Sequence, residues 1–218
     1  MLIDDILGNE TLRHKEFPVT KHRIYLAHAA EAPLPARVAN AIKEYVNRAS
    51  VCGQFEYLHK EIEEETRGLG GKLLGATSDE VAFIPSTSAG LSLIATGLDW
   101  RAGDNVIIAD GDFPANIYPW LNLRRRGTKV KFIPRKPDGV VELADVKEQV
   151  DEQTRLVSLS SVHFVTGAAI DMDAIGEFLH QRGILFCVDA IQSLGALPCS
   201  VRYVDFLAAD AHKWLCLL

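Results

Sequence analysis

The sequence predicts an α/β fold, with a mostly parallel sheet covered by helices on both faces. Two observations lead to this prediction. From Glu80 onward, short apolar runs alternate with amphipathic helical patterns, and strands that alternate with helices build right-handed βαβ units. Within these runs, apolar residues follow one another instead of alternating with polar residues, which is typical of strands buried on both faces.

The predicted strands and helices follow in order along the chain. The strands are "EVAFI" (80–84), "DNVIIA" (104–109), "KVKFI" (129–133), "TRLVSLS" (154–160), "GILFCVD" (183–189) and "VDFLAAD" (204–210). The helices are predicted at 87–98, 114–126, 142–150 and 171–182. In the last of these, apolar residues recur at helical spacing and form one face.

The first 75 residues or so have a different, helical pattern. One helix is expected after Pro33-Leu34-Pro35, where apolar residues recur at helical spacing. A second is expected from about Phe55 to Leu74, although its glycines weaken the pattern. We therefore divide the chain into an N-terminal helical segment, 1–75, and an α/β large domain, 76–218.

Composition excludes several classes of protein. With 218 residues, 48% of them hydrophobic and 24% charged, the chain has an ordinary globular profile. A net charge of −6 gives nucleic acid or an anionic membrane no electrostatic reason to bind. The four cysteines have no zinc spacing, so no metal is predicted, and they suit a reducing compartment. The start, "MLIDDILGNE", resembles neither a signal peptide nor an anchor, so a cytoplasmic location is expected.

Parallel sheets bind ligands beyond the carboxyl ends of their strands, and three predicted strand ends carry polar chemistry. Ser86, Thr87 and Ser88 follow the first strand and open a helix. Amides at a helix start, with hydroxyls beside them, favour an anion; alternatively, one of the three only caps the helix. Neither a Walker loop nor a dinucleotide motif is present.

The other two strand ends carry an acid and a lysine. Asp189 ends one strand, with Gln192 three residues later, and it either caps a helix or pairs with a buried cation. His212 and Lys213 follow the last strand. A lysine there is either solvated or, if desolvated, a nucleophile with a lowered pKa.

One cofactor would use all three strand ends. Pyridoxal phosphate needs an anion cradle for its phosphate, a carboxylate for its pyridine nitrogen and a lysine for its aldehyde. The joint pattern therefore favours this cofactor over three independent structural roles.

From about Tyr25 to its end, the chain resembles the class V aminotransferase family, which includes the cysteine desulfurases. The segments "VDAIQSLGALPCSV" and "DFLAADAHKW" resemble its Asp-x-x-Gln and His-Lys blocks. The segments "STSAGLSLIATGL", "DGDFPANIYPW" and "YLAHAAEAPLP" resemble its phosphate-loop helix, its ring-stacking segment and its substrate-side segment. The resemblance implies the large domain of the aspartate-aminotransferase type, also called fold type I.

The resemblance also implies a role for each matching residue. Lys213 would form a Schiff base with the cofactor, Asp189 would pair with its pyridine nitrogen, and Gln192 would approach its ring hydroxyl. The phosphate would be held by Thr87, Ser88 and His212. Phe113 would stack on the cofactor ring, and Asn116 would shape the loop that carries it.

Four positions depart from the family pattern. Phe113 replaces the histidine of desulfurases and cannot transfer a proton, which counts against desulfuration. Phe164 replaces their asparagine, as in kynureninases, although kynureninases lack these Asp-x-x-Gln and His-Lys blocks. Asp210 stands where many members bind phosphate with serine, so it is expected to point away or to cap a backbone turn. His28 replaces asparagine and either touches substrate or is a surface or satisfied histidine.

Length is a further departure, since family members continue for about as far again. Their C-terminal domain carries the arginine that grips the substrate carboxylate and, in desulfurases, the nucleophilic cysteine. The resemblance predicts that this domain is missing and that the chain is truncated. Cys216 is too close to Lys213 to serve as that cysteine.

Three hypotheses follow. The first is a homodimeric pyridoxal phosphate enzyme acting on an amino acid, with transamination, desulfuration, epimerisation, β-elimination or kynureninase-like cleavage all open. The second is a truncated chain without activity. The third, a flavodoxin-like binding module, rests only on the alternation of strands and helices.

Overall fold

The computed structural model describes residues 3–54 and 60–216. The chain forms two compact units. The first comprises Met1–Lys72, Thr77–Val81 and Ala211–Leu218, and the second comprises Leu73–Ala76 and Ala82–Asp210. The division predicted at residue 75 stays a prediction.

The first unit is helical, as its apolar spacing predicted. Its α-helices are α1 (Ile3–Leu7), α2 (Glu10–Glu16), α3 (Ala36–Cys52) and α4 (Lys60–Leu74). The helix predicted after the Pro33–Pro35 segment is α3, which begins directly after Pro35 and ends at Gly53, where φ is +84°. The second predicted helix is α4, and its glycines do not interrupt it. The predicted start of that helix, 55–59, lies outside the described residues.

The second unit contains a five-stranded sheet in which every pair of neighbouring strands is parallel. Its strands are β1 (Asn105–Ala109), β2 (Lys129–Ile133), β3 (Thr154–Ser160), β4 (Leu185–Asp189) and β5 (Phe206–Ala208). They lie in the order β2-β1-β3-β4-β5, so β2 and β3 flank β1 on opposite sides. Such a switch in direction opens a crevice at the carboxyl ends of the strands. The predicted fold class is confirmed.

One predicted strand is wrong. Residues 81–84 form no strand in the structure, although the run is apolar. Phe83 is 53% exposed, and a methyl group added at Gly90 would meet the Ile84 side chain. The run therefore contributes side-chain packing against the following helix, and its apolar character reflects that contact.

The helices of the second unit cover the sheet. They are α5 (Thr87–Gly97), α6 (Tyr118–Asn122), α7 (Leu143–Gln149) and α8 (Met172–His180). The single helix predicted over 114–126 is wrong in detail, because the segment divides into a 3₁₀ helix, α6 and a second 3₁₀ helix. Pro114 and Pro119 each lie in the first turn of one of these pieces, where a missing N–H costs nothing.

The core lies on both sides of the sheet. Consecutive residues of β1, Val106 and Ile107, point to opposite faces and are both fully buried. On one face, Val106 packs in a cluster with α5 and with Trp120 of α6. The buried acidic and amide side chains of this unit lie at or beyond the strand ends, whereas Ser158 is a buried hydroxyl within β3.

Over residues 3–54 and 60–216, no helix is both long enough and apolar enough to cross a membrane.

Because Gly176 has no side chain, helix α8 can pack closely against Tyr203. A Cβ added there would lie 2.7 Å from the Tyr203 Cβ and 3.2 Å from its carbonyl oxygen. We expect Gly176→Ala to lower the free energy of unfolding by about 1–2 kcal/mol, because overpacking outweighs the better helix propensity of alanine. Urea unfolding followed by circular dichroism measures the change.

The matched control is Gly97→Ala at the end of α5, where an added methyl group meets nothing within 4 Å. This variant should keep or raise the unfolding midpoint. A Gly176→Ala protein as stable as the unsubstituted chain would show that α8 does not need the close approach.

Candidate active site

The carboxyl ends of β3 and β4 lie side by side and carry a buried acid. Asp189 is the last residue of β4, is 2% exposed and pairs in register with Ser160 of β3. Its Oδ1 accepts a hydrogen bond from the Ile191 N–H at 3.1 Å, which tightens the turn after the strand. Carboxylates are rarely this buried unless other groups compensate the charge.

Gln192 lies on the same turn as Asp189 and is 9% exposed. The turn is anchored to β3, because the Ser161 N–H donates to the Asp189 carbonyl at 2.9 Å. The hydroxyls of Ser161 and Ser193 also lie 2.7 Å apart. The structure therefore places the two predicted residues on one anchored turn at the carboxyl edge.

The start of α5 has the features of an anion site. Ser86 caps the helix, since its Oγ accepts the Ala89 N–H at 3.1 Å. Thr87 is 2% exposed, and its Oγ1 has no hydrogen-bond partner within the described structure. A buried hydroxyl without a partner costs about 1–3 kcal/mol, which a phosphate oxygen would recover.

Asp210 caps this helix start, one of the two outcomes expected for it. Its Oδ1 accepts the Thr87 N–H at 2.7 Å. One backbone donor of the cradle is thus already used, and a carboxylate lies beside the place where an anion would bind.

Phe113 lies on the loop after β1, and 43% of it is exposed. Its ring meets the Phe164 ring edge to face, with centroids 5.2 Å apart and planes at 78°. Phe113 and Ser88 line one cavity of about 420 Å³ together with Pro114, Tyr118 and neighbouring residues. The structure therefore brings a predicted phosphate residue and the predicted stacking residue to one cavity.

A hydrogen-bond network of buried side chains supports the Phe113 loop, and the sequence predicted only part of it. The prediction that Asn116 shapes the loop agrees with its complete burial. Asp112, which is 7% exposed, was not singled out. Its carboxylate accepts hydrogen bonds from the loop and from Ser160 of β3. The asparagine four residues after Asp112 is a local signal for the contact between those two side chains, whereas the contact with Ser160 leaves no local signal in the sequence.

Lys213 belongs to the first unit and is 8% exposed, so it is not a solvated surface lysine. Its segment is bound to the N-terminal residues of that unit. The Ala32 N–H donates to the His212 carbonyl at 2.8 Å. The His28 ring stacks on Trp214 with centroids 4.9 Å apart and planes at 11°. Of the outcomes considered for His28, the structure shows a packed, half-buried histidine.

The thiols of Cys187, which is buried, and of Cys216, which is partly exposed, are not activated. Burial raises the pKa of Cys187 to about 12, so its thiol is protonated at neutral pH. Burial also raises the pKa of Cys216. Neither residue has the lowered pKa of a nucleophilic cysteine.

Comparison with known proteins agrees with this geometry. The family model described as aminotransferase class-V matches residues 24–217. A probable cysteine desulfurase of Methanothermobacter thermautotrophicus is 32% identical over 91% of this chain and 52% of its own length. The uncharacterized aminotransferase YcbU of Bacillus subtilis is 33% identical over 91% of this chain and 54% of its own length. The chain thus spans about half the length of the curated relatives it matches.

Solved structures share the fold. An apo cysteine desulfurase from Thermococcus onnurineus superimposes with a TM-score of 0.83 at 26% identity, covering 99% of this chain and 55% of that one. A mutant of C-DES, described with glycine covalently linked to its PLP cofactor, has a TM-score of 0.83 at 21% identity, covering 93% of this chain and 56% of that one. At that identity the likeness shows the fold alone.

The family match bears out the predicted resemblance and, with it, pyridoxal phosphate as the cofactor expected of a member. The matched region contains both the buried strand-end acid and the buried lysine. The chain belongs to the class V aminotransferase family.

Proposed function

We propose that this chain is the cofactor-binding part of a pyridoxal phosphate enzyme that acts on an amino acid. The observation that carries the proposal is the burial of two charged strand-end residues, Asp189 at 2% exposure and Lys213 at 8%. Residues of these types are almost never so buried unless their charge is compensated, and both lie at the positions that the family resemblance assigns to the cofactor.

Each residue has a distinct task in this proposal. Asp189 would pair with the pyridine nitrogen and keep it protonated, while Gln192 would approach the ring hydroxyl. Lys213 would hold the aldehyde covalently and would then be placed to move protons at the substrate. When bound, the cofactor supplies an electron sink for charge at the substrate α-carbon.

The phosphate end rests on the start of α5 and on His212. The unpartnered Thr87 hydroxyl fits an anion, and Ser88 lines the neighbouring cavity. The Asp210 carboxylate opposes an anion there, so this cradle is weaker than one with serine at the same place.

A homodimer remains part of the proposal. Support comes from exposed apolar side chains, since Tyr118, which lines the Phe113 cavity, is 67% exposed and Leu93 of α5 is 62% exposed. A cytoplasmic location stays a prediction from the sequence. Because the relatives are about twice as long, cofactor binding is the primary proposal and turnover the secondary one.

Desulfuration of cysteine is the second candidate reaction. Several relatives are described as probable cysteine desulfurases. Against this candidate, the Phe113 side chain offers no proton at the position where the resemblance places a histidine in desulfurases. We therefore rank it below transfer or elimination chemistry on another amino acid.

Lys213 should be the residue that captures the cofactor. After incubation with pyridoxal phosphate and reduction with borohydride, we expect one cofactor mass on the peptide that contains Lys213. Lys213→Ala should carry none, whereas Lys131→Ala, which removes a lysine ion-paired with Asp151, should keep it. Mass spectrometry of the digested protein measures all three. A reduced adduct of equal yield in Lys213→Ala would end the proposal.

Asp210 should weaken phosphate binding through its charge. Asp210→Asn keeps an oxygen for the Thr87 N–H and removes the charge, so we expect the dissociation constant for inorganic phosphate to fall about tenfold. Isothermal titration measures it. Asp171→Asn is the control, because Asp171 caps α8 in the same way through the Ala174 N–H. Unchanged or weaker phosphate binding in Asp210→Asn would contradict the placement of the cradle.

Phe113 should separate the two candidate reactions. If its missing proton limits desulfuration, Phe113→His should raise sulfur release from cysteine at least tenfold, since a positioned acid or base contributes about 10²–10⁴-fold. Alanine formation reports the reaction, together with sulfide measured in the presence of added dithiothreitol, which supplies the two electrons that release of the sulfur as sulfide requires. The yield of the Lys213 adduct serves as the control for cofactor binding. Should the unsubstituted chain release sulfur at a measurable rate equal to that of Phe113→His, desulfuration becomes the preferred function.

A further inference from the structure

We propose that Asp112 and Asn116 are positioning residues that hold the Phe113 ring in place for the cofactor. This inference rests on the proposed function. It assigns a task to two buried residues that the cofactor itself does not touch in that proposal.

Asp112 joins the Phe113 loop to β3. Its Oδ1 accepts the Phe113 N–H at 2.7 Å and the Ser160 hydroxyl at 2.6 Å. Its Oδ2 accepts the Asn116 Nδ2 at 3.0 Å and the Ser160 N–H at 3.2 Å. Four donors therefore fix both oxygens of one buried carboxylate.

Asn116, which donates to the Asp112 carboxylate, is itself fixed by two further hydrogen bonds. Its Oδ1 accepts the Trp120 Nε1–H at 3.0 Å and also the Ser158 hydroxyl. Because an indole nitrogen can only donate, the amide oxygen of Asn116 must face Trp120 and its nitrogen must face Asp112. Trp120 and Asn116 are both fully buried, so water cannot replace these bonds.

The backbone of Phe113 is held at both ends. Its N–H donates to Asp112, and its carbonyl accepts the Asn116 N–H at 2.8 Å. Pro114 follows and restricts the preceding residue to extended conformations, in agreement with the Phe113 ψ of 142°. The Phe164 edge then limits the ring on one side. A ring so confined can present a face to a ligand without first paying the entropy of ordering.

The network also sets Phe113 relative to Asp189. Ser160, which donates twice to Asp112, is the register partner of Asp189 on the adjacent strand. Hydrogen bonds from Phe113 to Asp112 and from Ser160 to Asp112, followed by the pairing of β3 with β4, thus connect the proposed stacking residue to the proposed pyridine-nitrogen partner. Phe113 and Asp189 would both contact one cofactor ring. A change in the network would therefore move one of these contacts relative to the other.

Asn105 offers a matched control at the opposite end of β1. It is 2% exposed, and its Nδ2 donates to the Asp151 Oδ1 at 2.7 Å. Asn116→Ala and Asn105→Ala each remove a buried asparagine bonded to an aspartate. Only the first of these pairs lies at the carboxyl edge.

The experiment measures pyridoxal phosphate bound to the full chain, by its dissociation constant and by the visible circular dichroism per bound cofactor. We expect Asn116→Ala to weaken binding at least tenfold or to reduce the ellipticity at least fivefold. Asn105→Ala should stay within twofold of the unsubstituted chain, at a comparable loss of urea stability. Ser160→Ala, which removes a single donor to Asp112, should change the same quantities less and in the same direction.

Hydrogen exchange of the apoprotein gives a readout independent of the cofactor. The Phe113 amide should exchange faster in Asn116→Ala and Ser160→Ala than in Asn105→Ala. If Asn116→Ala does not fold, Ser160→Ala carries both measurements. Equal effects of the carboxyl-edge and control variants would overturn the positioning role while leaving the proposed function intact. If the unsubstituted chain forms no adduct at Lys213, the proposed function fails and the positioning role fails with it.

Discussion

The central strands of the second unit's sheet are buried on both faces, and the buried acidic and amide side chains of this unit lie at or beyond the ends of its strands. The amino end of β1 carries the Asn105–Asp151 pair, and its carboxyl end leads to Asp112 and Asn116. At the amino end, burial raises the pKa of Asp151, but hydrogen bonds from Asn105, Lys131 and its own turn outweigh this effect and lower the pKa to about 2. The donors of those hydrogen bonds all belong to the protein itself. At the carboxyl end, an unpartnered hydroxyl and an exposed aromatic ring remain available to a ligand.

Much of this arrangement could be predicted from the residues, because burial on two faces leaves a clear pattern. Five of six predicted strands form, and Asp189 ends a strand as expected. The failures share a physical cause. The run 80–84 is apolar because it packs against a helix, and apolar character alone cannot separate packing from strand pairing. Asp112 escaped notice because its partner, Ser160, is distant in sequence and only the register of β1 with β3 brings the two together.

The start of α5 shows two opposing effects at one place. The buried Thr87 hydroxyl favours an incoming anion, whereas the Asp210 carboxylate repels it. The same carboxylate stabilises the helix start, since a negative charge near an N-terminus is favourable. Stability of the empty fold and affinity for phosphate therefore compete at this helix, and serine in place of Asp210 would relax the competition.

The aromatic pair has a related consequence for chemistry. Phe113 and Phe164 occupy places where desulfurases have groups that exchange protons or hydrogen bonds, and their edge-to-face contact replaces polar chemistry with packing. Such a pair can orient a ring but cannot take part in proton transfer. Within the described residues at this proposed site, Lys213 is then the side chain best suited to moving a proton at the substrate α-carbon. Under the proposed function, such a site would favour reactions in which one base acts at that carbon, and it would disfavour those that need a second acid over the cofactor face.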